Sequence, residues 1–140
     1  MTRVIILDTE AMQAISDENH PKHAEAISYA ELTRQRKKRL QQARVVVPTC
    51  VRVEAALDHR KPASAAFNRF GIDDIGLDQT TASVAAHIRC QHGAQISVTD
   101  AHLGATVLQR FANDDVTIIT SDPADMALVS APVDVNVITI

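Results

Sequence analysis

Val4-Ile5-Ile6-Leu7-Asp8 sets the frame for the rest of the chain: four consecutive large apolar residues, three of them β-branched, closed by an acid. A strand wetted on one face alternates apolar and polar residues, whereas a strand covered on both faces need not. The run therefore predicts a strand buried inside a parallel sheet, with Asp8 just past its carboxyl end. Outward from it the pattern recurs in Arg44-Val45-Val46-Val47 and over residues 116–120, more weakly over 72–77, where Asp73, Asp74 and Gly76 interrupt, and again over 135–140.

Helical stretches lie between these runs. Residues 21–42 are rich in Ala, Glu, Lys, Arg, Gln and Leu, with no glycine or proline inside, and predict one long helix or two joined ones. Thr49, after Pro48, offers a cap for a helix carrying Val51, Glu54, Ala55 and Asp58. A short helical piece ends at Phe70, residues 79–91 form another helix that Gly93 stops, and Ser97 opens one that runs to about Phe111. Ala101, Gly104, Ala105, Leu108 and Phe111 form the apolar stripe of that last helix, and residues 122–129 form a short one. Parallel neighbours need crossover connections, so strict alternation predicts an α/β, three-layer α/β/α fold with a mostly parallel central sheet, in one domain over residues 1–140.

A chain of 140 residues is long enough for one continuous core, and 46% hydrophobic with 22% charged residues is ordinary for a globular protein. The early acid argues against a signal peptide, and no apolar run reaches the roughly 20 residues a spanning helix needs, so a cytoplasmic location without membrane attachment is expected. Cys50 and Cys90 are far apart and outside any C-x-x-C pairing, which predicts small buried thiols. The net charge of −3 gives no global attraction to nucleic acid, so any such binding must be local. Arg34, Arg36, Lys37, Lys38, Arg39 and Arg44 are clustered; they read first as the solvated side of a helix and second as contacts to RNA phosphates. The six histidines form no metal-binding pattern, and no glycine-rich phosphate loop exists among the four glycines.

Ligands of open α/β sheets bind beyond the carboxyl ends of the strands, where Asp8 and Asp122 both fall. If the helices of Glu54 and Asp100 start at that edge, four carboxylates converge, and their repulsion calls for a cation. Magnesium or manganese, hard ions with oxygen ligands, would fit and could activate a water for phosphodiester hydrolysis. Each aspartate also has a reading without chemistry. Asp8 can cap the first helix, Ser97 with Asp100 resembles a capping box, and Asp122-Pro123-Ala124-Asp125 is a cap with proline at the first helical position. Glu54 lies among Val51, Val53, Ala55 and Ala56, too far into its helix to cap it, and its alternative is a solvated face.

Ile5-Ile6-Leu7-Asp8-Thr9, Val53-Glu54-Ala55, Thr99-Asp100-Ala101 and Ile119-Thr120-Ser121-Asp122 resemble, in order and spacing, the acidic motifs of PIN domains, and the single-domain layout resembles the VapC-type ribonuclease toxins of toxin–antitoxin pairs. The resemblance covers essentially the whole chain. It implies that Asp8, Glu54, Asp100 and Asp122 are catalytic and bind Mg2+ or Mn2+, with Asp125 as an extra member and Thr120 or Ser121 orienting a water or phosphate. It further implies endonucleolytic cleavage of an RNA substrate, homodimerisation, and inhibition by a cognate antitoxin protein. Glu10 departs from the pattern, since many members carry Asn two residues after the first aspartate, and so does the long basic segment. Two other functions are compatible with the residues: a non-catalytic interaction module of the same fold, and a receiver-like phosphoacceptor domain, against which the lack of a lysine near a late strand counts.

Overall fold

The computed structural model describes residues 2–35, 43–57 and 71–140. Its strands are β1 (Arg3–Leu7), β2 (Ala43–Pro48), β3 (Asp73–Ile75), β4 (Asp115–Thr120) and β5 (Asn136–Thr139). Its helices are α1 (Thr9–Ser16), α2 (His23–Gln35), α3 (Thr49–Glu54), α4 (Gln79–His92), α5 (Val98–Arg110) and α6 (Pro123–Ser130). The sheet order is β3-β2-β1-β4-β5, and every pairing is parallel. The α/β class and the parallel sheet read from the apolar runs are thus present.

β1 sits at the centre, and its continuous apolar run is explained by what covers it. Ile5 and Leu7 join Val45, Val47 and Ile119 in one cluster with Met12 and Ile15 of α1, Ala26 and Ala30 of α2, and Val51 of α3. Val4 and Ile6 join Val46, Val116 and Ile118 in a second cluster with Ile88 of α4, Leu103 and Val107 of α5, and Met126 and Val129 of α6. Successive strand residues point to opposite faces, so a run without polar residues supplies both clusters at once.

Several expectations change in detail. α3 stops at Glu54, so Glu54 closes its helix instead of lying a turn inside it, and Thr49 makes no cap because the capping position falls on Pro48. Ala56 just beyond has φ 56, the left-handed backbone that ends a helix abruptly. The apolar stripe of α5 proves too narrow, since His102, Leu103, Thr106 and Val107 are buried along with Ala101, Gly104 and Ala105. Gly104 permits this: a Cβ there would run into the carbonyl oxygen and Cβ of Val129, so α5 and α6 pack backbone to backbone. Cys50 is half-buried and Cys90 exposed, so the thiols are not both interior.

Residues 36–42 of the basic segment, the helical piece ending at Phe70, and Asp58 lie outside the described residues. Of the cluster, Arg44 is exposed and pairs within the chain, 3.4 Å from Asp73 and 5.7 Å over the Phe111 ring. Among the described residues no helix is long and apolar enough to cross a membrane.

Candidate functional site

The parallel sheet brings the carboxyl ends of β1, β2 and β4 to one edge, and the predicted acids gather there by different means. Asp8 follows β1 and is buried, 7% exposed. Its Oδ1 accepts the Ala11 amide at 2.9 Å, which makes it the N-cap of α1 as one of its two readings held. Its Oδ2 accepts the Thr120 hydroxyl at 2.6 Å and the Ser121 amide at 3.3 Å. Burial pushes its carboxyl above the usual carboxylate range, and the three hydrogen bonds work against that.

Thr120, wholly buried at the end of β4, is a two-way connector. While its hydroxyl donates to Asp8, the same oxygen accepts the Asp122 amide at 2.8 Å. That hydroxyl thereby holds two protein groups at once, donating its one proton to Asp8. Asp122 occupies the capping position of α6 but makes no capping bond with its side chain. Its carboxyl hydrogen-bonds that of Asp125, raising Asp125 above its ordinary range, a shift that burial and the charge of Asp122 reinforce. Capping accounts for Asp8 and fails for Asp122.

Glu54 is exposed, yet both of its oxygens are engaged. Oε1 accepts the Thr9 hydroxyl at 2.8 Å and Oε2 the Thr99 hydroxyl at 2.6 Å. Neither threonine was singled out from the sequence, although each adjoins a candidate acid, Thr9 after Asp8 and Thr99 before Asp100. Only the fold shows that two helices point these hydroxyls at a third. Asp100, in the first turn of α5, donates its amide to Ser97 Oγ at 3.0 Å, the capping contact expected of Ser97. Its carboxyl is pushed up to about 6, by burial first, against a hydrogen bond from Ser97, and further by the charges of Asp125, Asp8 and Glu54.

Asp100 thus feels Asp125, Asp8 and Glu54, which places the predicted acids around one edge. None of Asp8, Glu54, Asp100, Asp122 and Asp125 has an ion-pair partner among the described residues. Glu10 has a cation beside it, Lys22 Nζ at 3.0 Å, with the His20 ring nitrogen Nε2 at 3.9 Å. Hydrogen bonds from Ser121 and then Lys22 hold its carboxyl below the usual range. For Mg2+ or Mn2+ the donor atoms are of the right kind, but among the described residues no three such groups are placed to hold a metal ion.

No model of a known protein family matches this chain, and no curated protein matches it. Solved structures do. The chain is similar to the crystal structure of FitAcB from Neisseria gonorrhoeae, with 17% identity, a TM-score of 0.60 and 96% of each chain covered. It is also similar to that of VapBC2 from Rickettsia felis bound to a DNA fragment from their promoter, with 10% identity, a TM-score of 0.60 and 98% of each chain covered. That likeness shows a shared fold.

Two expectations are corrected by these findings. The chain is not upheld as a PIN-domain, VapC-type ribonuclease toxin: no family model matches it, and likeness to FitAcB and VapBC2 at 17% and 10% identity shows a shared fold alone. The metal-dependent endoribonuclease function, with RNA as substrate, falls with it. The same acids are engaged within the chain: Asp8 is buried and accepts three hydrogen bonds, Glu54 accepts one on each oxygen, and among the described residues no three donors are gathered for an ion. A short acidic motif on an α/β scaffold reports the fold, while function depends on how the carboxylates are disposed.

Proposed function

We propose that this chain is a non-catalytic interaction module of a two-protein complex of the toxin–antitoxin kind, built on a three-layer α/β/α scaffold, with the acidic edge as its recognition surface. The observation that carries this reading is the convergence of Asp8, Glu54, Asp100, Asp122 and Asp125 without an ion-pair partner among the described residues. Val53, 81% exposed, and Val98, 54% exposed, adjoin Glu54 and Thr99 in sequence and add apolar area to that surface. A surface of this composition suits a partner segment that carries Arg or Lys beside apolar side chains. The cation supplies the charge that the edge lacks, and charge complementarity selects the register. Similarity over nearly the full length of chains from two complexes supports a protein partner.

A second reading concerns the same edge. Burial first, and then the charges of Asp125, Asp8 and Glu54, push the Asp100 carboxyl up to about 6; a cation would relieve that repulsion, and we extend the proposal to Mg2+ or Mn2+ held loosely, largely through water. Self-association into a homodimer is proposed alongside, and light scattering on the isolated chain reads it directly.

Co-expression with the protein encoded beside it tests the main reading. A stable complex is expected with the wild-type chain, and Asp100→Asn combined with Asp122→Asn is expected to weaken it at least tenfold. Two results would overturn the proposal: a complex indifferent to both substitutions, or RNA cleavage by the purified chain with added magnesium that Asp8→Asn abolishes. Calorimetric titration with MnCl2 separates the ion reading, which fails if no heat is seen or if Asp100→Asn leaves it unchanged.

A further inference from the structure

The two outer strands of the sheet are finished differently. β3 is three residues long, and its exposed acids Asp73 and Asp74 are paired with Arg44 and Arg52, so charge guards that edge against a further strand. β5 reads Asn136-Val137-Ile138-Thr139, with three β-branched residues and no charge, proline or glycine. Beyond it, Ile140 gives its amide to the Thr120 carbonyl oxygen at 3.0 Å, continuing the parallel register with β4. Backbone groups of successive strand residues point to alternate sides, so Asn136, Ile138 and Ile140 turn theirs toward β4, while Val137 and Thr139 turn theirs outward. Among the described residues nothing pairs with that outer side. Ile138 is half-buried against the cluster of Ile5 and Leu7, and Thr139 is exposed.

We propose that the outer side of β5 is where a second copy of this chain docks, the two strands pairing antiparallel about a twofold axis at Ile138. The inference rests on the self-association proposed above and gives it a surface. In this register Val137 faces Thr139 of the second copy, and each such pair exchanges two bonds, so four bonds use every outward amide and carbonyl of the strand. Ile138 meets Ile138 of the second copy at a position without backbone bonds, the Cα atoms about 4.5 Å apart, and joins the two apolar clusters. Charge favours the same occupant. The strand is neutral, so two copies do not repel along it, and the antiparallel sense brings the exposed Asp134 end of one copy to the end where Lys22 of the other donates to Ile140. Four residues a side are far fewer than the roughly 20–30 of a standard interface, so the dimer is a weak one that dilution separates.

Sedimentation of the full chain from micromolar to millimolar concentration reads the dimer, and thermal unfolding establishes that each variant is folded. Thr139→Pro removes an outward amide from each copy, two of the four bonds, and is expected to weaken dimerisation at least tenfold. Register is read by cross-linking in a chain carrying Cys50→Ser and Cys90→Ser. Ile138→Cys is expected to give a disulfide-linked dimer on mild oxidation. Thr139→Cys is not, because the two copies of that residue lie about 9 Å apart, beyond the roughly 7 Å between Cα atoms that a disulfide spans. A chain that stays monomeric at every concentration overturns the self-association and this inference with it. A dimer that folded Thr139→Pro leaves intact, or that cross-links equally through both introduced thiols, overturns the β5 surface alone. Amides of Val137 and Thr139 that gain protection from exchange only when the co-expressed protein is added would assign the edge to that protein, and would overturn the inference too.

Discussion

Asp8 and Asp100 are both aspartates near the start of a helix, yet their surroundings give them different duties. Asp8 is wrapped by three donors and is structural support for the turn between β1 and α1. Asp100 is half-buried and faces other carboxylates, with only Ser97 to offset them, so its charge is poorly tolerated in the folded chain. Its carboxyl at about 6 lies above the ordinary 3.8, so the folded chain holds the proton more tightly than the unfolded one. Stability from this residue is therefore fully present below about pH 4 and is lost as the pH rises toward about 6. Asp100→Asn removes the burden. The variant should melt higher than wild type at pH 7.5, by on the order of 1 kcal/mol once solvent screening of a half-buried group is allowed for, and the gain should vanish near pH 4. Calorimetric melts at both pH values check it, and an equal or lower melting temperature at pH 7.5 contradicts it.

At the scale of elements, the α5–α6 contact controls where two of the edge's acids stand, since α5 carries Asp100 and α6 carries Asp125. Gly104 lets the helices approach until its backbone meets that of Val129, with the Val129 Cβ beside it. Gly104→Ala must push them apart, and although alanine favours helix by up to about 1 kcal/mol, overpacking of a rigid backbone contact costs about 1–3 kcal/mol. Net destabilisation is expected, read as a lower melting temperature; a gain would mean that the helices can separate freely. The elements themselves were legible because burial on both faces writes itself as an apolar run, as in Val4-Ile5-Ile6-Leu7, and because Ser97 and Gly93 sit at helix ends where their chemistry is needed. The Glu54 clamp was not legible, because Thr9, Glu54 and Thr99 belong to three helices and no periodicity links residues 45 apart. Arg44 misled for the opposite reason: it lies near a basic stretch in the sequence, whereas its spatial neighbours are Asp73 and Phe111.

The whole molecule carries only −3, but its charge is unevenly placed, with carboxylates concentrated beyond the strand ends. A weak net charge with a strong local field should show in the kinetics of association more than in the lifetime of the complex, because long-range attraction acts before contact and short-range packing acts after it. Raising the salt from about 0.05 to 0.5 M should slow association with the partner by roughly tenfold or more while changing dissociation little. The double variant Asp100→Asn, Asp122→Asn should start slower and show a flatter salt dependence. Stopped-flow or surface-based kinetics across that range decides the matter. If salt instead acted on dissociation, and equally in both chains, attraction would reside in contacts away from the edge, and the acids gathered there would be left as the supports of helix starts that Asp8 already is.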